Sequence, residues 1–251
     1  MTGAEPLRPH SRSNSALEQM RRELVLAFHI LNREGQGNEV AGHVTARLPG
    51  AQTFWTNRFR LGFDEANLAD LQECDFDINV KTGGEVNQAL LFHAAIYEAR
   101  PDVNAVVHTH PRNAVALASL GQPLLPLDQQ AAIFFENIAN YNDHEGVVLG
   151  KDEAREISKA LGNCRGLLMT NHGVVVTGKS VREATVGAIV LEIACEIQIK
   201  AMSAGKPVQL SAESANHAKA FLSQDEHIDM RFEYWSRRVL AESPHVARDL
   251  A

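Results

Sequence analysis

The 251-residue chain is 45% hydrophobic and 22% charged, with a formal net charge of -7 and a pI near 5.9. This composition supplies the apolar material of one globular core, and its acidic balance argues against a basic phosphate-binding face, so no nucleic-acid partner is expected. No run approaches the roughly 18 apolar residues of a membrane span, and Arg8 and Arg12 have no apolar segment behind them, so no membrane partner and a cytoplasmic location are expected.

Residues 1–14, rich in Ser, Pro, Arg and Asn without periodicity, read as a leader, and residues 15–251 as a single domain. Ser15 and Glu18 have capping-box spacing. Leu17, Met20, Leu24 and Phe28 then recur at helical intervals, predicting a first helix to about Arg33 that Gly35 and Gly37 stop. β-Branched and aromatic residues predict strands over Glu39 to Leu48, Thr53 to Thr56 and Phe76 to Val80, with a loop from Arg58 to Asp70. A turn at Gly83 and Gly84 leads into a helix from Val86 to Ala99, which Pro101 ends. Val103 to Thr109 is a short buried strand, and Asn113 to Leu120 a helix.

Residues 121–142 show no firm period and are read as mixed. Val147 to Leu149 is a predicted strand, and Asp152 is the expected cap of a helix to Leu161. Gly166 to Thr170 and Val174 to Thr177 flank Asn171-His172-Gly173 as a hairpin or tight bend. Ser180 and Glu183 form a second capping box, opening the longest helix, to about Ala204. The rest, through Trp235, is helical and packs on the body or a neighbouring subunit. Alternating strands and helices indicate a layered α/β/α domain. Cys74, Cys164 and Cys195 are odd in number and widely spaced, which fits small buried hydrophobes rather than a disulfide framework or a CxxC metal site.

In Val103-Asn-Ala-Val-Val-His108-Thr-His110, two histidines one residue apart on a strand project from the same face, a geometry that suits one metal ion. His172 is the third candidate. Gly173 beside it permits close backbone approach or a positive φ. Three neutral imidazoles plus water or substrate make an open coordination site that polarises an oxygen. Spacing along the chain does not by itself bring His172 to the other two.

His93-Ala-Ala-Ile-Tyr97, the run from Ala99 through His108-Thr-His110, Gly42-His-Val-Thr-Ala-Arg47 and Asn171-His172-Gly173 resemble, in order and character, the signature segments of the class II aldolase/adducin family over Ser15 to Ala204. The resemblance implies a three-layer α/β/α fold around a mostly antiparallel sheet. It also implies one zinc, manganese or iron ion on His108, His110 and His172, and a homotetramer with active sites between subunits.

The same resemblance locates the departures. Family members acting on sugar phosphates hold phosphate with Gly-Asn, Thr-Gly and Ser-Ser pairs, where this chain has Gly42-His43, Thr56-Asn57-Arg58 and Asn87-Gln88. Phosphate cradles need small hydroxyls and exposed backbone N–H groups, so the expected substrate is a small non-phosphorylated carboxylate or aromatic compound. Thr56, Asn57, Asn87, Gln88 and His93 are its expected contacts. The family's glutamate four residues before His93 is replaced by Ala89, with Glu85 the nearest carboxylate, and loss of that base favours decarboxylation over aldol cleavage. Tyr141, His43 and Glu136 are the expected catalytic residues. His43 suits carboxylate binding, proton donation or a structural hydrogen bond. Arg47, Arg58, Arg237 and Arg238 are candidate carboxylate clamps. The function expected is a metal-dependent carbon–carbon lyase acting on a hydroxy or oxo acid. The alternatives are an iron-dependent oxygenase of an aromatic oxo acid, or a non-catalytic interaction domain.

Overall fold

A computed structural model describes residues 9–37, 40–142 and 150–251. Its elements are α1 (Pro9–Arg33), β1 (His43–Ala46), β2 (Thr53–Asn57), β3 (Leu71–Asp75), α2 (Leu91–Ala99), β4 (Ala105–Thr109), α3 (Arg112–Ser119), β5 (Ile138–Tyr141), α4 (Lys151–Leu161), β6 (Gly166–Met169), β7 (Gly173–Gly178), α5 (Val181–Ala204), α6 (Ala212–Leu222), α7 (Asp225–Glu242) and α8 (Pro244–Asp249).

The strands form one sheet in the order β3-β2-β1-β4-β7-β6-β5, antiparallel throughout except for the parallel pair β5 and β6. Side chains alternate across it. Ala105, Val107, Leu168, Val174 and Val176 enter a core with α1, α3, α5 and α7, whereas Val106, Leu167, Met169 and Val175 enter a second core with α2 and α4. Both faces are covered, which is why β4 and β7 read in sequence as unbroken apolar runs rather than alternating ones. The expected three-layer α/β/α architecture with a mostly antiparallel centre is what the chain adopts.

Several boundaries differ from the sequence expectation. Helix α1 begins at Pro9, inside the expected leader, so Ser15 and Glu18 lie within it and Glu18 pairs with Arg22 one turn later (3.0 Å). The third strand is Leu71–Asp75, and Phe76 to Val80 is a turn. There Asp75 Oδ1 accepts N–H groups from Asp77 (3.1 Å) and Asn79 (2.9 Å), and Ile78 takes φ +63, so the apolar alternation mimics a strand. The expected strand around Glu39 is confined to His43–Ala46, Glu39 itself lying outside the described residues, as does Val147 to Leu149. Gly150, not Asp152, is the N-cap of α4. The mixed segment holds a 3-10 turn, Ala131–Phe134, and β5. Ser180 caps α5 as expected, accepting from Glu183 N, but the Glu183 carboxylate takes the N–H of Lys179 (2.7 Å) instead of completing the box. No helix among the described residues is long and apolar enough to cross a membrane.

Candidate metal centre

The start of β1, the end of β4 and the turn between β6 and β7 meet at one end of the sheet. Val106 of β4 enters the core on the α2 side, His108 two residues on shares its face by the two-residue period, and His110 follows just past the end of the strand. The turn from β6 to β7 places Asn171 at φ +58, a conformation Asn tolerates better than most residues, and His172 N donates to Met169 O (3.1 Å). Gly173 makes the close approach possible. A Cβ there would lie 2.5 Å from Thr109 O and 2.8 Å from His110 Cδ2.

The ring centroids of His108, His110 and His172 stand 4.7, 4.9 and 5.0 Å apart, and one nitrogen from each lies within 4.8 Å of the others. His108 Nδ1 donates to Val174 O (2.9 Å); a carbonyl only accepts, so Nδ1 carries the proton and Nε2 is left as a lone-pair donor. Burial, with the neighbouring imidazoles, lowers the His108 pKa, and burial lowers that of His110. Neutral imidazoles are the form that binds metal, so the donor set fits a divalent ion.

The other side of β4 braces these residues. Thr109 donates its hydroxyl to Gln36 Oε1 (2.7 Å), and Gln36 Nε2 donates to Ala188 O of α5 (2.9 Å). Past His110, the Glu192 carboxylate accepts from Asn113 N (3.0 Å) and Ala114 N (2.8 Å), neutralising the N-terminus of α3. Sequence reasoning missed both. Their one signal was polarity amid apolar or glycine-flanked positions.

His43 pairs in register with His108, and their rings stack at 5.4 Å. Burial first, then His110 and His172, push its pKa down to about 3, so it is a neutral partner. His93 is fully buried behind it at 5.7 Å, with Nδ1 on the Thr45 hydroxyl (2.9 Å), which also bonds Tyr97 OH (2.8 Å). His93 itself does not line the cleft beside His43, and its Nε2 is buried without a hydrogen bond among the described residues.

That small cleft opens beside His43, lined by Gly42, Thr56, Asn57, Arg58, Arg60 and Asn87 among others. Thr56 and Asn57 shape its wall with polar groups already engaged: Thr56 donates to Val44 O (3.0 Å), and Asn57 Nδ2 to Leu61 O (3.3 Å). Asn87 Oδ1 caps Ala89 N (3.0 Å). Gln88 is exposed and does not line the cleft. Tyr141 ends β5 opposite Met169, at the same end of the sheet as His172. Glu136 is exposed before the other end of β5, where Ile138 pairs with Gly166, which removes it from the imidazoles. Arg47 is likewise no clamp: it is buried, donating to Val103 O and Arg100 O (both 3.0 Å). Arg237 and Arg238 are exposed on α7.

An α/β/α layered domain with imidazoles gathered at one end of its sheet defines the class of protein, and comparison with known proteins agrees. Residues 22–199 match the Class II Aldolase and Adducin N-terminal domain, and the chain belongs to this family. It is 37% identical to Decarboxylase NovR of Streptomyces niveus over 198 residues, covering 77% of this chain and 73% of that protein. It is 36% identical to a 4-hydroxy-3-prenylphenylpyruvate oxygenase/4-hydroxy-3-prenylbenzoate synthase of Streptomyces roseochromogenus subsp. oscitans, covering 77% and 72%. Among solved structures, L-fuculose 1-phosphate aldolase from Glaciozyma antarctica PI12 superposes with a TM-score of 0.83 at 26% identity, covering 96% of each chain.

Proposed function

We propose that this chain is a metal-dependent carbon–carbon lyase of the decarboxylase or aldolase type, acting on a small non-phosphorylated hydroxy or oxo carboxylate. The observation that carries the reading is the convergence of His108, His110 and His172 within 4.8 Å, with burial lowering the pKa of the first two. A divalent ion held there, zinc in the first instance, would supply Lewis acidity and draw electron density from an oxygen beside the bond that breaks. His43 offers the substrate a neutral imidazole as hydrogen-bond partner, Tyr141 is the proton donor, and the brace from Gln36 and Glu192 keeps His110 in place. Ala89 offers no base for removing a hydroxyl proton, which favours loss of carbon dioxide over aldol cleavage. The similarity to a protein named as a decarboxylase supports the same choice. A homotetramer in the cytoplasm completes the reading.

The oxygenase-named relative motivates a second reading, iron-dependent oxidation of an aromatic oxo acid. Elemental analysis of the purified chain with its His108→Ala and His172→Ala variants tests the centre, and a panel of hydroxy and oxo acids followed for carbon dioxide and oxygen tests the chemistry. About one ion per chain, lost in both variants, with carbon dioxide released and no oxygen consumed, is the expected result. Oxygen uptake moves the assignment to the second reading. A chain without metal after reconstitution is an interaction domain.

A further inference from the structure

The last helix, α8, lies outside residues 22–199 that match the family domain, yet it holds a segment that backs the cleft. Two 3-10 turns, Phe63–Glu65 and Leu68–Asp70, follow the cleft residues Asn57 to Arg60. Asp70 ties the second turn to that wall: its carbonyl accepts Arg58 N (3.0 Å), and its carboxylate pairs with the Arg58 guanidinium (3.5 Å). Phe63 ties the first to the metal centre. Its ring tip reaches Gly42, where an added Cβ would lie 3.3 Å from Phe63 Cζ and 3.1 Å from His108 O. On their far side the turns rest on α1 and α8. His29 Nε2 donates to Ala66 O (2.8 Å), Arg21 donates to Leu68 O (2.9 Å), and Leu68 N donates to Asp249 Oδ2 (2.8 Å).

Helix α8 meets this seam with His245 and Asp249, one helical turn apart and so on one face. The adjoining pair, Val246 and Leu250, packs into the core. The exposed His245 ring stands 5.7 Å from that of His29, which is only 5% exposed. Arg22 donates to Leu250 O, and Arg33 grips Glu242 at the end of α7 (2.8 and 3.1 Å), so these α1 cations are committed along the same seam. The groups acting on His29 are His245 and Asp249 of α8 and Asp64 of the first turn. The two carboxylates favour a charged ring, and burial outweighs them. Since His29 already commits its Nε2–H to Ala66 O, a second proton would sit on Nδ1 and put a full charge on a buried imidazole.

We propose that α8 is an acid-released strap: closed, it fixes the two turns behind the cleft, and a proton taken up by His29 lifts it and frees them. Water reaches the charged ring when His245 and its helix move away. Leu68 N then loses Asp249, and the turns keep only their ties to α1. A short terminal helix with one fully buried side chain is the kind of unit that opens locally while the sheet stays folded.

The test is hydrogen–deuterium exchange of the full chain at pH 7.5 and 5.5, corrected for the intrinsic rate, for peptides covering residues 61–70, β4 and β7. Exchange in 61–70 should rise about tenfold at the lower pH, the limit for one group of ordinary pKa 6.5 in the open state, with β4 and β7 unchanged. His29→Gln keeps a donor for Ala66 O but takes no proton, so its exchange should not change with pH. A chain ended after Ser243 should show the raised exchange at pH 7.5 already. The proposal is overturned if the wild type shows no rise, if β4 and β7 rise with 61–70, if His29→Gln retains the rise, or if removing α8 leaves 61–70 as protected as in the wild type.

Discussion

Gly173 is where one methyl group decides whether the site exists. Its added Cβ would meet Thr109 O at 2.5 Å, a backbone atom that yields only if the turn between β6 and β7 lifts from β4. Gly173→Ala should therefore move His172 from His110, abolish stoichiometric metal binding and destabilise the chain by about 1–3 kcal/mol. Gly83→Ala is the control. That glycine also has a positive φ (+86) but nothing within 4 Å, so the substitution should cost about 1–2 kcal/mol of backbone strain and leave the metal content unchanged. Metal analysis and urea unfolding of both variants check this, and full metal occupancy in Gly173→Ala would refute the close-approach argument. The sequence identified Gly173 as either a close approach or a positive φ; the structure assigns the first to Gly173 and the second to Asn171.

At the scale of elements, caps and apolar periods were legible where a local interaction controls the outcome. Ser180 starts α5 because its side chain accepts the N–H of Glu183 three residues on. Phe76 to Val80 misled because the side chain immediately before the turn overrode the pattern: Asp75 gathers two N–H groups, and Phe76 instead stacks on Phe54 and Tyr97. The packing of α1 against the turn after β2 and against α8 supplies a further prediction. His29 in α1 is buried and donates Nε2–H to Ala66 O (2.8 Å), with the His245 ring 5.7 Å away and Asp64 and Asp249 also acting on it. Burial lowers its pKa below the ordinary 6.5. Below pH 6.5 the unfolded chain takes up a proton that the folded one refuses, so this group's stability is full above that pH and is lost as pH falls toward the folded value. The loss is at most about 1.4 kcal/mol per pH unit. Urea unfolding at pH 7.5 and 5.5 should show the wild type losing more on acidification than His29→Gln; equal losses would show that His29 does not titrate between the two states.

For the whole molecule, an ion bound only by the folded chain adds to stability by mass action. At a free concentration about 100 times its dissociation constant it contributes about 2.7 kcal/mol. In a chain of this size that raises Tm by roughly 5–10 °C. A chelator should reverse the gain, and the His172→Ala variant should show none. A wild-type Tm indifferent to both metal and chelator would count against the centre.

The sequence alone determined the layered α/β/α class and the common face of His108 and His110, since a two-residue period and a capped apolar helix are local facts. It also supplied the family signature, and with it the members of the imidazole cluster. Tertiary structure decided the rest. His172 reaches the pair because β7 lies beside β4 and Gly173 lets the turn descend. Glu136 is carried off to the far end of β5, Arg47 is buried in backbone contacts, and Arg60, which no pattern singled out, stands at the cleft. Periodicity tells which face a side chain takes, but which face meets which is set by strand order and by backbone approach between segments distant in the chain.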